Sequence, residues 1–369
     1  MPVGEPLAVP PGHEILLAAP AGVDQVILRA LHRPQQLEVL EARGAVDGAL
    51  TRGETLLQRG RALRRNGQDV DGDVGHALSL PSGCSRGTLE AMTAQTEDPA
   101  DPGLYGPESV TWRVHGDPSM PLAGLRALLL QAVHPLAMAG VAQHSDFRTD
   151  PWGRLFRTAE YVAVTTYGTT RQAQRAGAKV RGIHGKLGGT EPESGQRYRV
   201  NDPELLRWVH CVEVESFLTT AVRCGLRLSR AEQDTYYAEQ RRGAAMVGLD
   251  PAQVPADVAA MRGYFQDIRP QLQVTAEARR AARFVLWPPM PALVGLGTPA
   301  RPAWIALAAA AAAMLPRWAR RLYRLPGIPT TDLGATAAGL AFRSGLLVVP
   351  SSLRQGPHHK AALERVGRA

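Results

Sequence analysis

The stretch from Arg154 to His184 constrains the fold more than any other part of this chain. Wound at 3.6 residues per turn it forms two consecutive helices. The first carries a polar stripe, Arg154, Arg157, Thr158, Tyr161 and Thr165, where a helix facing a core would carry an apolar one. Leu155, Phe156, Ala159, Val162, Ala163 and Thr166 occupy its other faces, so the stripe is set in apolar surface. Buried guanidinium and hydroxyl groups cost free energy unless they are paired. Such a stripe reads as a solvated face, as a set of helix–helix salt bridges, or as the polar wall of a cofactor pocket. The second helix inverts the pattern. Ala173, Ala176, Val180, His184 and Leu187 recur at i, i+3, i+7, i+11 and i+14, which puts an imidazole on an apolar seam. By periodicity alone His184 is either a core histidine bonded to a carbonyl or a ligand. Gly182 and Gly185 beside it each weaken a helix by about 1 kcal/mol relative to alanine, and they admit close approach of a flat ligand or another backbone.

The rest of the chain repeats helical periodicity. Pro121 to His144 reads as an apolar helix with Leu122, Leu125, Leu129, Val133 and Leu136 in register, kinked at Pro135. His134 sits at that kink, to line a pocket or bond a freed carbonyl, and His144 is placed to cap the end. Asp202 and Pro203 open a long helix that runs to Cys224 and ends at Gly225. It carries His210, with Glu213 one turn on as its natural partner. Ser229 and Glu232 form a capping box for a helix that Gly248 ends. Further helices are expected near 256–269, 272–286, 303–315 and 332–346, separated by Pro-rich breaks. No period-2 run lasts long enough for a sheet, so the expected class is all-α. The most apolar run, Ala303 to Leu315, is 13 residues between Pro302 and Pro316. That is short of the roughly 20 needed to span a bilayer, so it reads as a buried core helix and no transmembrane segment is expected.

At 369 residues, 44% hydrophobic and 21% charged, the chain can bury a sizeable core. Its net charge of +8 comes from arginines spread along the whole length, without the basic and aromatic interleaving of a nucleic-acid surface. Nucleic acid is therefore not an expected partner. The three cysteines, Cys84, Cys211 and Cys224, form no CxxC and no even framework, which points to a reducing, cytoplasmic compartment. No secretory signal is evident. P-loop, GxGxxG, HExxH and GxSxG motifs are all lacking. Residues 1–91 are rich in Gly, Pro and Arg, with only Val23 to Arg43 helix-like, and read as a disordered extension or as upstream translation. Residues 92–350 read as one helical domain. Residues 351–369 read as a basic flexible tail in which the adjacent His358 and His359 have no metal role.

An ordered series of segments carries a family resemblance over about residues 100 to 330. The series is GLYGPESVTWRVHGDP (Gly103 to Pro118), LLLQAVHPLAMAGVAQHSDFRTDPWGRLFRTAEYV, VRGIHGKLGG, DPELLRWVH, LSRAEQDTYY and LPRWARRLYRLP. It resembles the latex-clearing protein and mpaB oxygenase family. The resemblance implies an all-helical domain with a globin-like core holding haem b, and an activity that cleaves carbon–carbon double bonds of isoprenoid chains with dioxygen. In VRxxH, His184 matches the proximal haem ligand, and in RLxxxT, Arg154 and Thr158 match the distal Arg and Thr. Arg157 stands where rubber-cleaving members have a Lys, and an arginine stays protonated and is a poor iron ligand. The family's distal Glu has no counterpart, since Met138 and Gln143 stand near its place. His210 is the second candidate for the axial position, and a thiolate from Cys211 or Cys224 a lesser one. The implied function is a haem b-dependent mono- or dioxygenase whose partners are dioxygen and an apolar, isoprenoid or lipid-like small molecule. The alternatives are a haem- or oxygen-binding sensor without turnover, and a purely structural helical protein with His184 in its core.

Overall fold

A computed structural model describes residues 101–367; the segment 1–91 and its helix-like Val23 to Arg43 lie outside the described residues. Fifteen α-helices account for the architecture, with one two-stranded hairpin among the described residues. The all-α expectation holds.

The centre is a pair of helices, α2 (Met120–Gln131) and α6 (Pro203–Arg223). Both are buried on several faces, as a helix must be when apolar residues leave no polar side. Leu122, Leu125, Leu129 and Leu130 of α2 are buried, as are Trp208, Cys211, Val212, Phe217 and Ala221 of α6. One ion pair lies between them. Arg126, 1% exposed, donates to both Glu215 carboxylate oxygens at 2.7 and 3.1 Å, to Ser216 Oγ at 2.6 Å and to the Met314 carbonyl. Each of its three guanidinium nitrogens has a partner, the condition under which an arginine tolerates burial.

The helix starts follow local chemistry. Asp202 accepts from Glu204 N ahead of Pro203, and Ser229 and Glu232 close the capping box of α7 (Arg230–Met246). Gly225 and Gly248, with φ of +98° and +94°, end α6 and α7 in the left-handed region that glycine enters freely. Around the pair lie α1 (Val110–His115), α8 (Val258–Asp267), α9 (Ala276–Leu286), α10 (Ala292–Gly297), α11 (Ala300–Ala313), α12 (Arg317–Leu322) and α13 (Pro329–Leu347). The apolar run read as a core helix is α11, with Ala308, Ala311 and Ala312 buried.

Three expectations are corrected. Pro135 does not kink one helix but starts another, α3 (Pro135–His144), bent 105° from α2. His134 is its N-cap, Nδ1 accepting from Ala137 N at 3.5 Å, and burial lowers its pKa to about 4. Residues 188–199 hold a short hairpin, β1 (Gly188–Thr190) against β2 (Arg197–Arg199), antiparallel. The tail 351–369 is not flexible chain where described: it forms α14 (Ser351–Arg354) and α15 (Pro357–Arg365). Ala362 is fully buried against Trp112 and Tyr167, His359 stacks on Tyr167 at 4.4 Å, and Arg365 donates to the carbonyls of Asp101 and Tyr167. Arg365 and His359 are thus spent on free carbonyls and on packing rather than on solvent. His358 pairs with Glu160 at 2.7 Å.

No single described helix is long and apolar enough to cross a membrane, and the bent pair α2–α3 passes only by length and composition.

Candidate functional site

The stretch from Arg154 to His184 falls on two helices, α4 (Pro151–Tyr167) and α5 (Thr170–His184). Asp150 caps α4 ahead of Pro151, and Thr169 with Gln172 boxes the start of α5. Beside them lies a cavity of about 630 Å³, reaching α1, α2, α3, α6, α7 and α9. All five residues of the polar stripe line it, so the stripe is a cavity wall. The inverted seam of α5 is also real: Ala173 is buried, and Val180, His184 and Leu187 face the cavity.

The stripe residues differ in what they can do. Arg154 donates to Ser145 Oγ at 2.8 Å and has no carboxylate partner among the described residues; burial, and then the charge of Arg157, lower its pKa. Arg157 leans out, donating to Asp150 Oδ2 at 3.1 Å with its side chain 60% exposed. Thr158 returns its hydroxyl to the Arg154 carbonyl at 3.0 Å. Tyr161 Oη is buried without a partner, and burial, then Glu213, raise its pKa to about 12.

Two imidazoles face the same space. His184 is the last residue of α5, its Nδ1 buried and unpartnered, and burial lowers its pKa. His210 projects from α6 with Nε2 equally orphaned, and burial lowers its pKa to about 4. Both are neutral at pH 7, each with a lone pair free. A buried polar atom without a partner is uncommon in a folded protein and needs a reason. The other cavity histidines are satisfied. His115 bonds Thr166 Oγ1 at 2.8 Å and Tyr236 Oη at 3.1 Å, and His144 reaches the Gly188 carbonyl at 3.0 Å.

Glu213 is the residue that sequence reasoning undervalued. Read as a partner for His210, it instead lines the cavity with no hydrogen bond to that ring, and burial raises its pKa to about 7. The available signal was its spacing of three from His210, which puts both on one face of α6. Met138 also lines the cavity. Gln143 is tied to the hairpin, donating to the Thr190 carbonyl and accepting from Tyr198 Oη, both at 2.8 Å. The thiolate reading fails: burial pushes Cys211 to about 12 and Cys224 to about 11, and neither borders the cavity.

No group of three or more His, Cys, Asp or Glu among the described residues could hold a bare metal ion. An iron already held by a macrocycle needs only one protein nitrogen. Two neutral imidazoles, each with a buried unpartnered nitrogen, beside a largely apolar cavity whose wall carries a guanidinium without a carboxylate partner, fit that requirement.

The family model described as ER-bound oxygenase mpaB/B'/Rubber oxygenase, catalytic domain, matches residues 112–344, from α1 through most of α13. No curated protein and no solved structure matches the chain.

Proposed function

The chain belongs to the mpaB and rubber oxygenase catalytic-domain family, and on that footing we propose that it holds haem b through His184 and oxidises an apolar, isoprenoid or lipid-like substrate with dioxygen. The observation that carries this reading is His184, which lines the cavity and has a buried Nδ1 without a hydrogen-bond partner. Neutral imidazole is the ligating form, and burial keeps it neutral. His210 is the second candidate for the same task. Haem b, when bound, supplies the redox chemistry.

The chain's own residues supply the rest. Leu136, Val141, Leu155, Val162, Ile183 and Val209 give an aliphatic wall suited to a hydrocarbon chain. Arg154 offers a fixed positive charge and N–H donors in a low-dielectric space, where they act strongly on developing negative charge. Tyr161 stays protonated and can donate. Glu213, with a pKa near 7, can hold or release a proton at its carboxyl near neutral pH, the property required of a general acid or base. It stands on α6 rather than on α3, where Met138 takes the place expected for an acid.

A second reading, a haem- or oxygen-binding protein without turnover, is favoured by Arg157 turning to Asp150 and by Met138. Oxygen consumption with an apolar alkene separates the two. Arg154→Ala should retain haem and lose oxygen-dependent product formation; unchanged turnover would remove Arg154 from the chemistry. His184→Ala should lose the pigment, and if it stays the ligand is His210.

A further inference from the structure

Apart from Ile328, Leu333, Leu340, Leu347, Val348 and Leu353 on and around α13 and α14, the exposed large apolar side chains of the described residues lie at the large cavity or at α10. Leu293 and Leu296 of α10 are 85% and 87% exposed, and Trp287 just before them is 61% exposed. Ile183 and Val209, also exposed, border the cavity and are explained by it. The ridge made by the end of α9, Trp287 and α10 has no such explanation, and clustered apolar surface of this kind marks a contact site.

From Ala278 to Thr331 the sequence has eight arginines and no Asp or Glu, but Glu277 and Asp332 at its two ends pair with Arg280, Arg317 and Arg320. Arg279 and Arg283, one turn apart on α9, are exposed and make no ion pair or hydrogen bond through their side chains among the described residues. They rim a second cavity of about 310 Å³ floored by Leu129, Leu286 and Leu315. Arg301 lies 5.0 Å from the centre of the Trp287 ring.

The ridge also continues into the large cavity. Ala281, Phe284 and Val285 on the other face of α9 line it, as do Pro288 and Trp304. Trp152 Nε1 donates to the Pro289 carbonyl at 2.7 Å and Trp304 Nε1 to the Val285 carbonyl at 2.8 Å, fastening the ridge to the rim.

We propose that the α9–α10 ridge docks the protein on an anionic lipid surface, with Trp287, Leu293 and Leu296 entering the interface and Arg279 and Arg283 meeting its headgroup charge. Apolar side chains flanked by arginines are the composition that binds at a membrane interface. A second copy is a poorer occupant, because a two-fold contact through α9 would set Arg279 and Arg283 against their own copies, with the one acid of that helix, Glu277, already held by Arg148 and Arg280. Docked this way, the cavity rim faces the phase in which an apolar substrate dissolves. Docking requires neither haem nor turnover, so it stands or falls apart from the oxygenase reading.

The test is sedimentation of the full chain with phosphatidylcholine vesicles, with and without phosphatidylserine. The protein should partition onto the phosphatidylserine vesicles and release in high salt. Leu293→Ser with Leu296→Ser, and separately Arg279→Gln with Arg283→Gln, should each lower the partition coefficient at least about tenfold, with helical circular dichroism unchanged. Absence of binding to phosphatidylserine vesicles, or equal binding by both folded variants, overturns the proposal. So does a concentration-dependent dimer in sedimentation velocity that the leucine variant abolishes, since that gives the ridge to a second copy.

Discussion

Replacing Glu213 by glutamine tests the electrostatics of the cavity directly. Burial is what raises the Glu213 pKa from an ordinary 4.5 to about 7. The folded chain thus holds this proton more tightly than the unfolded chain does. Above about pH 4.5 the unfolded chain releases it while the folded chain keeps it, so Glu213 costs stability as pH rises, until both states are ionised above about pH 7. At about 1.4 kcal/mol for each pH unit of difference, the full cost at pH 8 is about 3 kcal/mol. Water entering the cavity would relieve part of it, leaving about 1 to 3 kcal/mol. Glu213→Gln keeps the shape and removes the titration. It should be more stable than the parent by that amount at pH 8, with the two converging towards about pH 4. Urea unfolding across this pH range, followed by far-ultraviolet circular dichroism, measures the difference. A variant less stable than the parent at pH 8, or a difference that does not change with pH, would refute the reasoning by showing that the ionised carboxylate has a partner.

Other expectations follow from single contacts. Arg126→Met strips the partner from Glu215 in the α2–α6 core and should cost about 3 to 5 kcal/mol, part of it recovered when Glu215 is also made apolar; thermal denaturation reads both. Gly177→Ala should destabilise by about 1 to 3 kcal/mol, because its Cβ would stand 2.5 Å from the Met246 carbonyl oxygen. Gly182→Ala, with nothing within 4 Å of the new Cβ, should instead stabilise α5 by up to about 1 kcal/mol. Stability should also fall as pH drops below 6.5, since burial lowers the folded pKa values of His115 to about 3 and of His134 and His210 to about 4, so protons bind the unfolded chain first.

The helices were readable where local chemistry decides them. Asp202 with Pro203, Ser229 with Glu232, and the glycines at 225 and 248 each act within a few residues of chain, and the helices begin and end there. The α4 stripe was readable too, because a cavity wall on one face of a helix imposes the same period as a core. What failed depends on partners far away in sequence. The break at Pro135 is sharp because His134 caps a new helix. Strands of three residues are too short for alternation to register. Basic residues 351–365 fold because Ala362 finds Trp112 and Tyr167. Arg157 has a side chain long enough to choose between the cavity and Asp150, and periodicity cannot tell which. Glu213 shows the same limit: its face on α6 was visible, but not what that face met.

The most direct test of the central claim is the ultraviolet–visible spectrum of the purified protein given haemin, with and without dithionite and carbon monoxide, beside His184→Ala and His210→Ala. The account predicts a Soret band in the parent that shifts on reduction and again with carbon monoxide, kept by His210→Ala and lost by His184→Ala, with helical circular dichroism unchanged. A colourless parent, or a band that neither substitution disturbs, would contradict it.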